Sequence, residues 1–493
     1  VNLGWALTWS LARRASRTLM VDDRRAYRGV DLLVASMHIA DAVRERSRSE
    51  RIGIMLPTSG VFGAALLGVL NAGRAAVPLN YLHERETLEY TIGNCGCDTV
   101  LSSRALVEFL GYEPRGARTV LLEDLPFRSI PSPAWPASGS RGDPAVVLYT
   151  SGTLGRPKGV VLSHHNLMSN VRQVERHVGL EKGDTFLGVL PQFHSFGITA
   201  LTIAPMLLGC RVVYTARFNA SKILSLIATH RATIYIGIPS MYTALLASKN
   251  AGAEDLSSLR LAISGGEPLP EDTWTRFRDR FGIGICEGYG MTETSPVTHV
   301  MLPSEHTKGS VGRPVPGVVQ RIVDPESGLD LPADRDGELR LSGPNIMLGY
   351  LGLPRETAEA FDDRGFLRTG DMARIDGRGF LSITGRIKEM LIVGGENVFP
   401  REIEEVLNAH ERVHASGVIG QHDPMRGEVP IAFVETEGDA PIDADALRSW
   451  CRDRLAGYKV PRRVVIVDEL PRSPTGKVLR RALKERLDRA VVT

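Results

Sequence analysis

From Arg51 onward, short apolar runs alternate with longer amphipathic stretches. Ile52-Gly53-Ile54-Met55-Leu56 is followed by Phe62 to Asn71 and then by Ala75-Ala76-Val77-Pro78-Leu79. That order reads strand, helix, strand, and an unbroken apolar run is what a strand covered on both faces needs. Comparable runs return at Ala145 to Tyr149, Arg211 to Tyr214, Thr233 to Ile238 and Leu259 to Ser264. The expectation is an α/β fold with a large N-terminal domain of layered sheets. Between Asp324 and Tyr350 the pattern changes to short strands and turns such as Gly337-Glu338-Leu339-Arg340-Leu341, so a small β-rich layer is expected there. Beyond Lys388, a strand over Met390 to Val393, a Gly-Gly turn and a charged helix over Arg401 to His410 open a last segment. Its length, about 105 residues, suits a separate small α+β domain. The chain is therefore expected to divide into residues 1–387 and 388–493. Ser129 to Asp143, rich in Pro, Ser and Gly, reads as a surface loop and not as a boundary.

Composition narrows the classes of function. The chain has 493 residues, too many for one core, and its 43% hydrophobic and 24% charged content excludes general disorder. Fifty-nine basic against 57 acidic residues leave a net charge of +2, which gives no field suited to nucleic acid. Five cysteines (Cys95, Cys97, Cys210, Cys286, Cys451) stand at irregular spacing. They suggest neither a disulfide framework nor paired zinc ligands, and a reducing cytoplasm is the simplest setting. The longest apolar run, Phe196 to Cys210, contains Pro205 and falls short of the roughly 20 residues of a membrane span. No transmembrane helix is expected, while peripheral attachment to a membrane stays open. The start at Val1 has no signal-peptide pattern and leaves a removed leader open.

Chemistry concentrates first in Tyr149-Thr150-Ser151-Gly152-Thr153-Leu154-Gly155-Arg156-Pro157-Lys158-Gly159, directly after the Ala145 to Leu148 strand. Glycines let the backbone turn its N–H groups inward, hydroxyls add donors and a lysine adds charge, which together make a cradle for polyphosphate. A loop after a strand is where α/β folds place ligands. It is not a Walker A loop, because Gly159 follows Lys158 where Ser or Thr is required.

This segment resembles the phosphate loop of the adenylate-forming enzymes, the superfamily of acyl-CoA synthetases, luciferases and peptide-synthetase adenylation domains. Thr150 to Gly159 fits the family's Thr-Ser-Gly-Thr-Thr-Gly-x-Pro-Lys-Gly at every defined position except Leu154. The likeness continues in order through Ser264-Gly265-Gly266-Glu267, Glu287-Gly288-Tyr289-Gly290-Met291-Thr292-Glu293-Thr294, Thr369-Gly370-Asp371, Gly385-Arg386-Ile387-Lys388-Glu389, Gly394-Gly395-Glu396-Asn397 and Pro471 to Lys477. The resemblance implies an enzyme that attacks the ATP α-phosphate with a carboxylate, releases pyrophosphate and passes the acyl group from acyl-AMP to a thiol. It implies ATP, Mg²⁺ and CoA as cofactors, with an acyl-carrier protein as the alternative acceptor.

Residue by residue, the resemblance assigns Thr150, Ser151, Gly152, Thr153, Gly155 and Lys158 to the phosphates, and Gly265, Gly266, Glu267, Gly288, Tyr289 and Gly290 to the nucleotide surroundings. Glu293 is implied as the Mg²⁺ ligand, Thr292 at the α-phosphate, Asp371 at the ribose with Arg386 beside it, and Lys477 as the cation shared by carboxylate and α-phosphate. A carboxylate suits Mg²⁺, which prefers oxygen and keeps several waters. Taken alone, Asp371 would read equally well as a helix cap. Only nine of the 59 basic residues are lysine, yet Lys158, Lys388 and Lys477 fall at motif positions. Lys388 is implied as the hinge of a mobile small domain that would later bring Gly394 and Gly395 to the site.

The acyl site is expected from Phe193-His194-Ser195-Phe196-Gly197, Ile236 to Met241 and Ser264 to Gly266, with His194 before the pocket. The expected substrate is a medium- or long-chain fatty acid, with an aryl acid as the rival. Leu154 replaces a hydroxyl residue and keeps a degenerate, binding-only protein in view. A hydrolase or acyltransferase finds no support, since no Gly-x-Ser-x-Gly elbow occurs. Cys286 reads as a buried strand cysteine and not as a nucleophile.

Overall fold

The computed structural model describes residues 1–492 except 133–134, 151–155, 249–250, 437–441, 473–475 and 477, with side chains described as far as 487. Four sheets organise these residues. In the first, seven strands, the parallel set Ala75–Pro78, Arg51–Met55, Thr99–Ser102 and Arg118–Leu121 is extended by Pro144–Thr150, which lies parallel to Ala75–Pro78. Lys158–Ser163 and Gly349–Tyr350 then close that edge in antiparallel fashion. The second sheet has nine strands; its parallel centre runs through Leu261–Gly265, Ile234–Gly237, Thr185–Gly188 and Arg211–Tyr214. Thr18–Val21 joins it in parallel beside Arg211–Tyr214, and Ile285–Gly290 joins beside Leu261–Gly265.

The expected strand, helix, strand order over Ile52 to Leu79 is present as Arg51–Met55, Gly60–Asn71 and Ala75–Pro78. The Gly60–Asn71 helix is buried along nearly its whole length, and one core joins it to strands of both large sheets. Its packing depends on Gly68, where a Cβ would stand 2.6 Å from Ile39 Cγ2 of the neighbouring helix.

The β-rich layer extends beyond the expected Asp324 to Tyr350. Val319–Val323, Gly337–Ser342, Leu367–Ile375 and Leu381–Arg386 form one antiparallel four-stranded sheet. The fourth sheet lies wholly after Lys388: Leu391–Val393 and Glu396–Val398 pair across the Gly394-Gly395 turn, beside the long Val413–Asp423 and Gly427–Thr436 hairpin and Arg463–Val467. The helix Pro400–Asn408 packs there over its own small core. A large N-terminal and a small C-terminal α/β domain are thus present. The Ser129 to Asp143 stretch runs over the surface, with Trp135 stacked on Trp5 at 5.6 Å and the Ala137 N–H bonded to Asn71 O.

Candidate active site

The phosphate segment follows a strand, as expected, and is flanked by an antiparallel pair of strands that the sequence reading did not draw. The strand runs on to Thr150, and the chain returns in Lys158–Ser163 with Thr150 opposite Lys158, where a crossover helix would otherwise begin. No helix begins between Thr150 and Lys158 among the described residues. Ser151, Gly152, Thr153, Leu154 and Gly155 lie outside the described residues. The Lys158 ammonium sits 5.2 Å from the centroid of the Tyr350 ring, and the Tyr350 hydroxyl donates to Glu293 Oε1 at 3.0 Å. Lysine, tyrosine and glutamate are thereby drawn to one corner of the cleft.

Glu293 stands on the Thr292–Thr294 turn, held by the Met347 N–H donating to its carbonyl at 2.8 Å. Burial pushes its carboxyl up, against the Tyr350 hydrogen bond. A desolvated carboxylate with one side-chain donor is a fit for a cation, whose charge would offset the burial penalty. No cluster of three or more potential ligands occurs among the described residues. That donor set suits Mg²⁺, which takes one or two carboxylates and fills its remaining positions with phosphate oxygens and water. Thr292 Oγ1 lies 3.3 Å from Ser195 Oγ, so two hydroxyls meet beside Glu293. The turn needs Gly290, where a Cβ would stand 1.9 Å from the Pro296 carbonyl oxygen.

Asp371 sits within the Leu367–Ile375 strand, which disposes of the helix-cap reading. Its side chain is buried; Oδ2 accepts from the Tyr289 hydroxyl at 2.6 Å and Oδ1 from Arg386 Nε at 2.7 Å. Asp371 raises the pKa of Arg386, and burial together with Asp371 raises that of the Tyr289 phenol. A carboxylate has about four acceptor positions, so two remain for ribose hydroxyls. The Tyr289 ring, fixed at its hydroxyl, presents a defined face to a base.

Gly265 ends the Leu261–Gly265 strand, and Gly266 follows at φ 89 with Glu267 in the same turn. The Phe196 ring lies against this edge, with Cε1 3.1 Å from where a Cβ at Gly265 would stand and the Gly288 carbonyl oxygen 3.3 Å from it. His194 caps the short Ser195–Ile198 helix, its Nδ1 accepting from the Phe196 N–H at 3.3 Å. The residue keeps some solvent exposure, while the protein packed around it lowers the imidazole from its ordinary 6.5 to about 4. Phe193 meets Tyr81 edge to face at 5.3 Å.

From the small domain, Gly476 reaches this wall. At φ 89, its Cβ position would lie 2.6 Å from Ile238 Cδ1 and 3.8 Å from Ser240 Oγ. Lys477, the next residue, lies outside the described residues. Gly394 and Gly395 are not brought into the cleft; they form an exposed turn with nothing within 4 Å of their Cβ positions. Lys388 lies on the Ile387–Glu389 turn that joins the last strand of the four-stranded sheet to the small domain.

Tyr350, the hydrogen-bond partner of Glu293, is the residue that the sequence reading did not single out, and the contact of Ser195 with Thr292 was likewise not foreseen. Glu287 accepts from the Leu269 N–H at 3.0 Å, and burial pushes its carboxyl up to about 7. From the ordinary 4.5 to about 7, the folded chain holds a proton that the unfolded chain has released, so stability falls as pH rises through that window and levels off above it. Glu287→Gln keeps an acceptor for Leu269 and removes this fall. It is expected to match the parent near about pH 4 and to gain up to about 3 kcal/mol near about pH 8, read as a higher urea midpoint. Cys286 beside it is a buried strand cysteine whose thiol burial pushes up to about 12.

Lys158, Tyr350, Glu293, Thr292 and Ser195 are linked on one side, and Tyr289, Asp371 and Arg386 on the other. The chain matches the AMP-binding enzyme family over residues 7–351 and the AMP-binding enzyme C-terminal domain over 402–477, and it belongs to that family. It is 35% identical to a feruloyl-CoA synthase of Amycolatopsis sp over 441 residues, covering 89% of each chain. It is 31% identical to a long-chain-fatty-acid–CoA ligase of Bacillus subtilis (strain 168), covering 97% of this chain and 93% of that one. The ATP-bound crystal structure of MatB from Rhodopseudomonas palustris superposes with a TM-score of 0.88 at 30% identity, covering 99% of both chains. The class is that of AMP-forming acid–CoA ligases using ATP, Mg²⁺ and CoA. No helix among the described residues is long and apolar enough to cross a membrane.

Proposed function

We propose that this ligase activates a monocarboxylic acid with a planar, uncharged aryl tail and transfers it to CoA. The observation that carries this reading is the half-buried Phe196 ring, which lies against the glycine edge at Gly265 and offers an aromatic surface at the expected acyl wall. A flat ring stacks well on Phe196, and offset stacking is worth about 0.5–1.5 kcal/mol beyond area burial. The likeness to the feruloyl-CoA synthase supports the same reading. The medium- or long-chain fatty acid expected from sequence is the second reading, supported by the likeness to the Bacillus ligase.

In this proposal Lys158 and the hairpin N–H groups hold the β- and γ-phosphates, Asp371 holds the ribose and Tyr289 the adenine. Glu293 would hold the Mg²⁺, which would supply positive charge to the phosphates. A carboxylate oxygen, positioned near the Thr292 and Ser195 hydroxyls, attacks the α-phosphorus; the bond to the bridging oxygen breaks and pyrophosphate leaves. Lys477 supplies positive charge where negative charge builds on the oxygens. The small domain then turns about Lys388, the CoA sulfur attacks the acyl carbon, and AMP leaves. Residues 1–387 and 388–493 are the two bodies of that motion. CoA is the acceptor in place of a carrier protein, and the cytoplasm, where ATP, CoA and reduced thiols coexist, is the site of action.

The test is pyrophosphate release with benzoate, cinnamate, ferulate, hexanoate, decanoate and palmitate, each with and without CoA. Aryl acids are expected to give the highest kcat/KM, with sustained turnover only in the presence of CoA. Palmitate or decanoate outrunning every aryl acid would overturn the first reading in favour of the second.

A further inference from the structure

The helix Arg85–Cys95 braces both strands of the phosphate hairpin. On the outgoing strand, Tyr149 donates its hydroxyl to Asn94 Oδ1 at 2.6 Å. On the returning side, the Arg156 guanidinium lies 4.9 Å from the centroid of the Tyr90 ring. Tyr90 and Asn94 are one helical turn apart, so a single helix face sets the position of both stems.

That helix ends in Cys95-Gly96-Cys97. Gly96 adopts the left-handed conformation, φ 66 and ψ 29, and the turn folds the flanking residues onto one side. The two sulfurs are 2.9 Å apart, inside ordinary thiol contact. The turn is pinned on either side: the Arg51 guanidinium donates to the Cys95 carbonyl, the Cys97 N–H reaches back to Ile92 O, and Asp98 accepts from the Arg48 and Ser49 N–H groups. Both sulfurs are buried, yet Gly93, Asn94, Gly96 and Asp98 around them are exposed, so the pair lies one residue beneath the surface. The Cys97 thiol, hydrogen-bonded to its neighbour, holds the Cys95 thiol below its ordinary range, and a thiolate is the form that reacts with oxidants. The ligase reaction uses neither group.

We propose that Cys95 and Cys97 are a reversible oxidation site at which a peroxide closes a disulfide, and that closing it weakens ATP binding through the Asn94–Tyr149 brace. The Cys95 thiolate attacks a peroxide oxygen; the O–O bond breaks, hydroxide leaves and takes a proton, and Cys95 becomes a sulfenic acid. The Cys97 sulfur attacks that sulfur, the S–O bond breaks, and a second water leaves with the Cys97 proton. Two thiols lose two electrons and two protons, and the peroxide becomes two waters. An S–S bond of about 2.05 Å across a single intervening residue draws the last helical turn inward and carries Asn94, the neighbour of Cys95, away from Tyr149. A bridge strained in this way is one that thiols readily reopen. The inference rests on the ATP site and not on the identity of the acid.

The experiment uses the full chain, reduced or treated with hydrogen peroxide, alkylated and mapped by tryptic digestion, with ATP affinity measured in parallel by calorimetry. The peptide 86–104, which contains both cysteines, is expected to become lighter by two hydrogens and to take up no alkylating agent. The ATP Kd is expected to rise about tenfold and to return with dithiothreitol. The Cys95→Ser/Cys97→Ser double variant and the single variant Cys97→Ala should bind ATP like the reduced parent before and after peroxide. Alkylation of both thiols after peroxide, a mapped disulfide with unchanged ATP affinity, or an equal loss of affinity in the double variant would each overturn the proposal. A failure of the ATP-site assignment shows separately, as a reduced parent that does not bind ATP.

Discussion

Lys477→Ala is expected to slow acyl-adenylate formation by about 10² to 10³, while leaving thioester formation from supplied acyl-adenylate nearly intact. One preorganised charge aimed at a developing oxyanion is worth about 2.7–4 kcal/mol, which sets that range. The proposed role draws on its neighbour Gly476, whose backbone at φ 89 stands against Ile238. In the proposed cycle the exposed Gly394-Gly395 turn serves the other half-reaction. Single-turnover measurement of the two half-reactions decides the matter: equal losses in both would mean that Lys477 supports the fold or both steps, and the account of domain rotation would fall.

Asp371→Ala is expected to raise the KM for ATP by about a hundredfold. Two hydrogen bonds from ribose hydroxyls to a charged acceptor are worth about 1.5–3 kcal/mol each, part of which water in the emptied site restores. The change also releases Tyr289 and Arg386, which both donate to Asp371. Because the Arg386 side chain is 39% exposed, its charge can turn to solvent, and the folding cost should stay below the roughly 3–5 kcal/mol of breaking a fully buried pair. The discriminating substrate is 2′-deoxy-ATP. The parent should penalise the missing hydroxyl strongly and the variant hardly at all; an equal penalty in both would remove Asp371 from the ribose.

The parallel strands were legible because burial on both faces forces continuous apolar runs such as Ala75 to Leu79. Leu367–Ile375 was not, since its sequence mixes Arg368, Thr369, Asp371 and Arg374 with apolar residues along an antiparallel sheet. This is why the β-layer was read as ending at Tyr350. The phosphate segment was recognisable, but its hairpin topology was hidden: the apolar run Val160 to Leu162 follows the motif so closely that no separate strand was drawn. Glu293 could be located by motif, whereas its partner Tyr350 is 57 residues distant and carries no local signature. Asp371 left cap and ligand equally open in the sequence, and its mid-strand position removes the cap. The pairing of Cys95 with Cys97 depends on a left-handed Gly96, which the spacing alone does not announce.

The strand Thr18–Val21 completes its parallel pairing only with Arg211–Tyr214, Met20 standing opposite Val212. During synthesis at about 5–20 residues per second, the early segment emerges roughly 10 to 40 s before its neighbour exists. Leu3, Leu7, Leu11 and Met20, all buried in the finished molecule, spend that interval without their final cover. The nascent chain therefore carries an unpaired strand edge over that interval, and the ribosome-bound intermediate is a stage at which a chaperone has something to protect.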